Sequence, residues 1–511
     1  MNFSLMKREI ALKEIICTKY GQTKAECDLI VPDTKPDVAR ILQVCAKPVI
    51  TQKTPQLDKV YIQGVVHLTV IYIPENGGIK SIFSKLDFSY MADCKGADTL
   101  SHIFAEAELE EIDYQTLNSR KINIKCCVGI DIKVSRKVSC AIPTGFEESN
   151  ELMAKYKDYS ISCVSPEEEQ SFRFRERVEV PAGKPDICEI IKIDAKCSSD
   201  SIRYSDGKIS ISGDIDLFVV YSDENGCVCT TEETLPFNET LEGINLPDGE
   251  IDSNFSVCDI VFDIYEEPDG TRRCLNIDIL ICATFKVSET AEISGISDAF
   301  SLSTPVKISR AKFETESITD KNSTQIAHKE TVSIPDYLPS VFRVSDCSGE
   351  ARVTGISMEN GRITVNGEIL SNILYASEDE NAPLSGISHI SSFSQSVDSP
   401  YATENSICEA KVYLDHIGYN ISDSKEIELR FIVVLTLSLL KSEAMEVIEE
   451  IAPDEDAEIK PCPPAVIYFA DEGETVWDIS KRYLVSPDKI MSANNLDSEN
   501  LKKGQKICIF K

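Results

Sequence analysis

A loop built from proline, lysine and aspartate occurs twice, as VPDTKPDVARIL (Val31 to Leu42) and VPAGKPDICEII (Val180 to Ile191). Lysine and aspartate side chains can transfer protons, so a duplicated Pro-x-x-Lys-Pro-Asp loop could hold chemistry that is needed twice. The loop could instead be a stiff structural corner, because proline fixes φ and disfavours helix at the residue before it. A third copy, IPDYLPSVFRVS from Ile334, keeps prolines but lacks the lysine and the second aspartate. This loss favours the corner, with a repeated partner-binding surface as the alternative.

Other residue types that carry chemistry form no catalytic or metal-binding pattern. The five histidines are scattered, and neither Cys-x-x-Cys nor a glycine-rich phosphate loop occurs. Many of the 19 cysteines lie in apolar runs such as ILICATF (Ile279 to Phe285), where a thiol packs as a small hydrophobe. We therefore expect reduced thiols, no metal, no cofactor and no catalytic residue, so the chain is predicted not to be an enzyme.

The composition is strongly acidic, with 85 Asp and Glu residues against 52 Lys and Arg residues and a net charge of −33. Such a surface repels phosphate backbones and anionic headgroups, so we expect no nucleic-acid partner and no membrane insertion. Charges at Lys7, Arg8 and Glu9 interrupt any signal-peptide core, and the longest apolar run, Phe431 to Leu440, is half a membrane span. We expect the protein to stay in the cytoplasm where it is made.

The loop is the first part of a longer repeated segment, which occurs three times in the sequence. Strand-like segments follow each loop, namely KVYIQGVVHLTVIYIPENGG, KISISGDIDLFVVYSDENGC and RITVNGEILSNILYASEDEN. Two residue types align across them, 149 and then 154 residues apart: Gly64, Gly213 and Gly367, and Tyr72, Tyr221 and Tyr375. Alternating apolar and polar residues indicate half-buried strands, and Asn-Gly pairs between the segments indicate the turns that connect them.

These copies predict a mainly β fold with three tandem sandwich- or barrel-like repeat domains. We place them at residues 1–165, 166–320 and, in a divergent form, 321–450, and we expect three separate modules in a row. Residues 451–464 are acidic and rich in proline, which indicates an extended linker.

The remaining residues, 465–511, have a different pattern. A short strand, VIYFA, precedes Thr475 and Asp478, which have the spacing of a capping box at a helix start. Ser486 and Pro487 suit the start of a second helix, and KICIF predicts a closing strand. The order is β-α-α-β. Trp477, the only tryptophan, is expected in the core of so small a domain.

This C-terminal pattern resembles the LysM domain in its Gly-Glu-Thr-Val-Trp opening, its Asn-Asn-Leu after the second helix and its Leu-x-x-Gly-Gln before the last strand. Glu474 stands where the family usually has Asp, and Val476 where it usually has Leu. The resemblance implies a shallow groove for N-acetylglucosamine polymers between two loops. The groove residues carried over by position are Gly473, Glu474, Thr475, Asn494, Asn495, Leu496 and Asp497. The glycine and the asparagines could instead only make turns.

The three repeats resemble SPOCS domains, a module of spore-coat proteins, in the Pro-x-x-Lys-Pro-Asp loop, the Ile-x-Gly strand and the threefold copy. Three such units before one LysM is the layout of SipL-type spore-coat morphogenetic proteins. The resemblance implies a non-enzymatic scaffold in the mother-cell cytoplasm at the forespore surface. It would tether the coat by binding an ATPase, stage IV sporulation protein A, through the LysM region. The alternative is a peptidoglycan-binding protein of the cell wall or cortex.

Overall fold

The computed structural model describes residues 3–147, 151–165, 167–244, 246, 249–379, 384–403, 406–454, 457 and 463–511. Nearly all of the described secondary structure is β-strand, and every strand pair is antiparallel. The predicted mainly β class is therefore confirmed.

The first repeat is a sandwich of two three-stranded sheets. Its strands are β1 (Leu5–Ile30), β2 (Val38–Gln56), β3 (Lys59–Pro74), β4 (Lys80–Asp93), β5 (His102–Asn118) and β6 (Lys121–Phe146). The inner sheet has the order β2-β3-β4 and the outer sheet the order β1-β6-β5. Alternate residues of β3 and β6, such as Ile62, Val66, Ile124 and Val128, pack between the sheets, as the period of two predicts.

The other two repeats are built in the same way. The second contains β7 (Leu152–Val164), β8 (Glu168–Glu179), β9 (Glu189–Ser205), β10 (Lys208–Ser222), β11 (Val228–Glu242), β12 (Glu250–Tyr265) and β13 (Cys274–Ser301). The third contains β14 (Val306–Ser333), β15 (Arg343–Glu359), β16 (Arg362–Ala376), β17 (Leu384–Asp398), β18 (Ser406–Asp423) and β19 (Glu426–Pro453). Their inner sheets are β9-β10-β11 and β15-β16-β17. In the second repeat β7 and β8 pair with successive parts of β13, so together they take the place of β1.

Each repeat also has an arm, a two-stranded ribbon in which the outer-sheet strands continue beyond the sandwich. The arms pair the start of β1 with the end of β6, β7 with the end of β13, and the start of β14 with the end of β19. They pack on one apolar cluster that includes Leu12, Ile142, Tyr159, Ile293 and Val447. Residues of all three repeats therefore share this core.

A second shared core lies where the inner sheets meet, and it includes Leu42, Ile71, Ile191, Val220 and Leu374. Polar contacts close the repeats into a ring. They are Lys35 Nζ to Glu189 Oε1 at 2.6 Å, Lys192 Nζ to Asp346 Oδ2 at 3.0 Å and Arg40 Nη2 to the Leu384 carbonyl at 2.5 Å. The expectation of separate modules in a row is therefore wrong, because the inner sheets carry apolar residues on both faces at this end.

The proline loops are corners that tie each inner sheet to its outer sheet. In every copy the aligned tyrosine donates its hydroxyl hydrogen to a proline carbonyl. The pairs are Tyr72 with Pro36 at 3.0 Å, Tyr221 with Pro185 at 3.1 Å and Tyr375 with Pro339 at 3.0 Å. The repeated tyrosine thus ties each inner sheet to its corner loop, while the prolines fix the backbone of the loop.

A cation from the turn before the last outer strand also clamps each corner. Arg120 donates to the Val31 and Pro32 carbonyls, and Arg273 donates to the equivalent carbonyls of Val180 and Pro181. In the third copy Lys425 donates to Pro335 and Leu338. The third corner therefore keeps its clamp although its own loop has lost Lys and Asp, which supports the structural interpretation of the motif.

The aligned glycines lie at β-bulges, where the register of the neighbouring strand shifts. A Cβ atom at these positions would collide with a backbone carbonyl oxygen of that strand. The glycines and the carbonyls they face are Gly64 with Val49, Gly213 with Ser198 and Gly367 with Arg352. Close backbone approach, and not ligand binding, therefore accounts for this part of the repeat.

The cysteines depart from the expectation at one pair. Cys258, the extra residue of a bulge in β12, forms a disulfide with Cys282 of β13, with Cα atoms 6.2 Å apart. The expectation of reduced thiols throughout is wrong here, because the bulge places the two side chains diagonally across the strand pair. Other cysteines, such as Cys94 and Cys126, are buried and pack in the apolar cluster of the first repeat, as expected for small hydrophobic side chains.

The C-terminal domain contains β20 (Ala465–Phe469), α1 (Val476–Tyr483), α2 (Pro487–Asn494) and β21 (Lys506–Phe510), which confirms the β-α-α-β order. The capping box of Thr475 and Asp478 is present, and Pro487 occupies the first turn of α2. No helix in the described part of the chain could span a membrane. Strand β19 continues to Pro453, and residues 455, 456 and 458–462 of the predicted linker lie outside the described residues.

We predict that Tyr221→Phe lowers the free energy of unfolding by about 1 to 3 kcal/mol, because it leaves the Pro185 carbonyl without its donor. Chemical denaturation followed by circular dichroism measures this loss. Tyr265→Phe is the matched control, since its ring stacks on Arg177 4.0 Å away and the ring is kept. Equal stability of the Tyr221 variant and the control would contradict the role of the tyrosine in the corner.

The ion pair between Lys192 and Asp346 offers a second prediction. Asp346 has only 1% of its side chain exposed. Burial alone would lower the pKa of Lys192, but the Asp346 carboxylate more than compensates and raises it. Lys192→Met should cost about 3 to 5 kcal/mol because it leaves a buried carboxylate unpaired, whereas the double variant Lys192→Met, Asp346→Leu should recover most of that loss. Thermal unfolding decides this, and equal destabilisation of both variants would refute it.

Candidate functional site

The predicted groove lies between the loop after β20 and the loop after α2. The end of the first loop contacts the segment that follows the second loop. The Val476 amide donates to the Glu499 carbonyl at 2.8 Å, and Thr475 forms an isolated β-bridge with Asn500. Gly473 has a φ of 84°, the left-handed region that glycine tolerates best, and is exposed. The first groove loop therefore lies beside the segment that follows the second.

Glu474 is held within the domain and is poorly placed to receive a ligand. Its carboxylate accepts hydrogen bonds from the Asp471 amide at 2.9 Å, the Tyr468 hydroxyl at 2.9 Å and Arg482 Nη2 at 2.7 Å. These donors, with the Asp471 amide first, hold the pKa of Glu474 below its usual range. Thr475 is likewise engaged, because it caps α1 with Asp478.

Three residues at the end of α2 and just after it also have structural contacts. The Asn494 side chain donates to the Cys508 carbonyl and accepts from the Cys508 amide, both at 2.7 Å, so it pairs with β21 as a strand would. Asn495 ends α2 in the left-handed conformation, and Leu496 packs against the domain core. Gly473, Asn495 and Asp497 are the exposed members of the predicted groove.

Trp477 lies between domains. It is 5% exposed, but the core of the C-terminal domain consists of other residues, among them Val476, Ile479 and Ile507. Its ring packs edge-on against Phe300 of the second arm, with centroids 5.0 Å apart, and its Nε1 donates to Asp298 at 2.8 Å. The expectation that Trp477 belongs to the small domain's own core is therefore wrong, because Val476 and Ile479 occupy the inward face of α1.

Sequence reasoning missed an apolar face on the outside of the small sheet. We define the outer face as Ile467 and Phe469 of β20 and Phe510 of β21, whose exposed fractions are 59%, 60% and 53%. Lys506 is the register partner of Phe469, so it lies on the same side. The signal was present in VIYF, where no polar residue alternates with the apolar ones.

We predict that Glu474→Gln destabilises the C-terminal domain, because a neutral amide cannot replace a carboxylate with three donors. The lowered pKa of Glu474 means that its contribution is complete above the ordinary glutamate pKa and is lost as pH falls through the lowered value. Amide hydrogen exchange in β20 and α1 across this pH range measures the effect. Asp497→Asn is the exposed control, and equal protection in both variants would contradict the assignment.

Comparison with protein families gives matches in all four domains. The SipL, SPOCS domain family matches residues 37–117, 186–265 and 340–422, and the LysM domain family matches residues 471–510. Neither the curated proteins nor the solved structures yield a match. Each SPOCS segment begins in or just after a corner loop. It runs through the three strands of the inner sheet and ends in the outer-sheet strand that follows them, which is β5 in the first repeat. The chain therefore belongs to the SipL-type family, with three tandem SPOCS domains followed by a C-terminal LysM domain.

Proposed function

We propose that this chain is a non-enzymatic scaffold that tethers the spore coat to the forespore surface from the mother-cell cytoplasm. SPOCS and LysM domains together fit a protein associated with sporulation and the coat. The finer role is the proposal, namely that the LysM domain binds a coat morphogenetic ATPase, stage IV sporulation protein A, and that the SPOCS ring holds the LysM in place.

One observation carries the preference for a protein partner. The outer face carries three large apolar side chains on one side of the small sheet, and Ile467, Phe469 and Phe510 are each more than half exposed. Aromatic anchors of this kind supply much of the binding energy of protein interfaces, whereas single exposed hydrophobes need no partner. Lys506 at the rim suits a partner that surrounds its own apolar contact with carboxylates.

The engaged groove residues point in the same direction. The Glu474 carboxylate already bonds Tyr468 and Arg482, and the Asn494 amide already bonds the backbone of Cys508. These two side chains therefore have few hydrogen-bonding positions left for sugar hydroxyls. Sites that recognise hydroxyl-rich ligands need polar groups that converge on the ligand and are free to bond it.

Binding of peptidoglycan or another N-acetylglucosamine polymer is the second candidate. Its support is the LysM match together with the exposure of Gly473, Asn495 and Asp497 between the two loops. These positions lie apart from the outer face in the sequence, so substitutions can test the two candidates separately.

For the protein partner we expect Ile467→Lys and Phe510→Lys to weaken binding of the full chain to the purified ATPase by about tenfold or more, since hot-spot losses exceed about 1.4 kcal/mol. Biolayer interferometry measures the dissociation constant. Ile407→Lys, which alters an exposed isoleucine of β18, is the control. Unchanged binding in both LysM variants would exclude the outer face, and no binding by the unaltered chain would exclude this partner.

The glycan candidate is tested by co-sedimentation of the full chain with purified peptidoglycan. If it is correct, the unaltered chain and Ile467→Lys sediment alike, and Asp497→Lys sediments less. If the chain stays in the supernatant, or if Asp497→Lys makes no difference, the groove does not bind this polymer.

A further inference from the structure

The interface between the LysM domain and the second arm centres on one carboxylate. Asp298 of β13 accepts hydrogen bonds from Trp477 Nε1 at 2.8 Å and from Lys481 Nζ at 2.7 and 2.9 Å. Arg310 of the third arm lies 3.8 Å from the same carboxylate. Burial alone would raise the pKa of Asp298, but the bonds from Lys481 and Trp477 lower it. Three polar groups from two domains therefore converge on a single side chain.

The two contacting surfaces match in their periodicity. Trp477 and Lys481 are four residues apart, which places them on one face of α1. Asp298 and Phe300 are two residues apart on β13, which places them on one face of the arm. Helix α1 thus packs the Trp477 ring on Phe300 and directs the Trp477 and Lys481 nitrogens to Asp298 at the same time. A chance encounter of two domains would rarely satisfy an aromatic contact and a charged contact together.

Docking in this way leaves the predicted binding surfaces of the LysM domain open. The side chains of the outer face keep exposed fractions of 53% or more, and Gly473 and Asp497 are exposed. The docked helix face is separate from them, because Trp477 and Lys481 project from α1 while the outer face belongs to β20 and β21. The contact therefore fixes where these surfaces point without covering them.

We propose that Asp298 is a latch that holds the LysM domain on the second arm in one orientation, and that removing its carboxylate charge weakens the bonds from Trp477 and Lys481 together and releases the domain. The latch orients the binding surface instead of blocking it. Its use in partner capture rests on the proposed function, whereas the docking itself does not.

The latch should be reversible for a physical reason. Asp298 and Lys481 are only partly buried, and exposed or half-exposed ion pairs contribute little and are screened by salt. The apolar part of the contact is one edge-on pair, Trp477 with Phe300. Because the chain connects the two domains, even a weak contact stays largely formed at the high effective concentration of its partner surface.

The only tryptophan of the chain reports on this latch directly. In the full-length protein we expect Trp477 fluorescence to be protected from acrylamide, and Asp298→Asn to lose this protection and shift emission to longer wavelength. Lys481→Ala should change both signals in the same direction but less. Asp158→Asn makes the same chemical change at an exposed position on the neighbouring strand of that arm and should leave both signals unaltered.

Two outcomes would overturn the latch. One is that Trp477 in Asp298→Asn stays as protected as in Asp158→Asn, and the other is that Trp477 of the unaltered chain is as accessible as in denaturant. Circular dichroism confirms that each variant is folded. If Asp298→Asn does not fold, Lys481→Ala provides the test, because the Lys481 side chain is 42% exposed. The assay contains no partner, so failure to bind the ATPase would refute the proposed function and leave this result standing.

Discussion

The arrangement of the SPOCS domains depends on burying a second face of their inner sheets. In a simple sandwich each sheet covers one face and leaves the other in water. Here Ile71 and Tyr72, neighbours on β3 that point to opposite faces, are both fully buried. The equivalent pairs in the other repeats, Val220 with Tyr221 and Leu374 with Tyr375, are buried as well. A single repeat would expose this apolar end, so the three repeats stabilise one another as a closed ring.

The corners make such a ring possible because they hold the ends of the sheets rigid. Their fixed parts are backbone carbonyls, a tyrosine hydroxyl and a cation, so the charged residues inside the loop are dispensable for the turn itself. In the first copy Lys35 instead reaches Glu189 of the next repeat. The two aspartates of the motif stay within their own repeats, where Asp37 pairs with Arg120 and Asp186 pairs with Arg273, so among the charged positions it is Lys35 that links two repeats.

Local sequence patterns predicted the strands and helices, but they could not predict how the repeats pack against one another. Alternation located the strands, and Thr475 with Asp478 located α1, because both signals depend on near neighbours. The offsets between copies could not show that Leu42 meets Leu374 in a common core, nor that a bulge brings Cys258 to Cys282. Trp477 was misplaced because a large apolar residue suits a domain core and a domain interface equally well.

The long outer strands also give the molecule a mechanical property. Strands β1 and β6 have 26 residues each and stay paired along almost their whole length, about 85 Å at 3.3 Å per residue. Their hydrogen bonds lie perpendicular to the strands, so tension applied lengthwise loads many of them in parallel. A pull between the arm and the ring is carried along the backbones of β1 and β6 together, because both strands run through the arm and the sandwich. Force along this axis does not open the paired strands one hydrogen bond at a time, so the ribbon is stiff in the direction in which it extends from the ring.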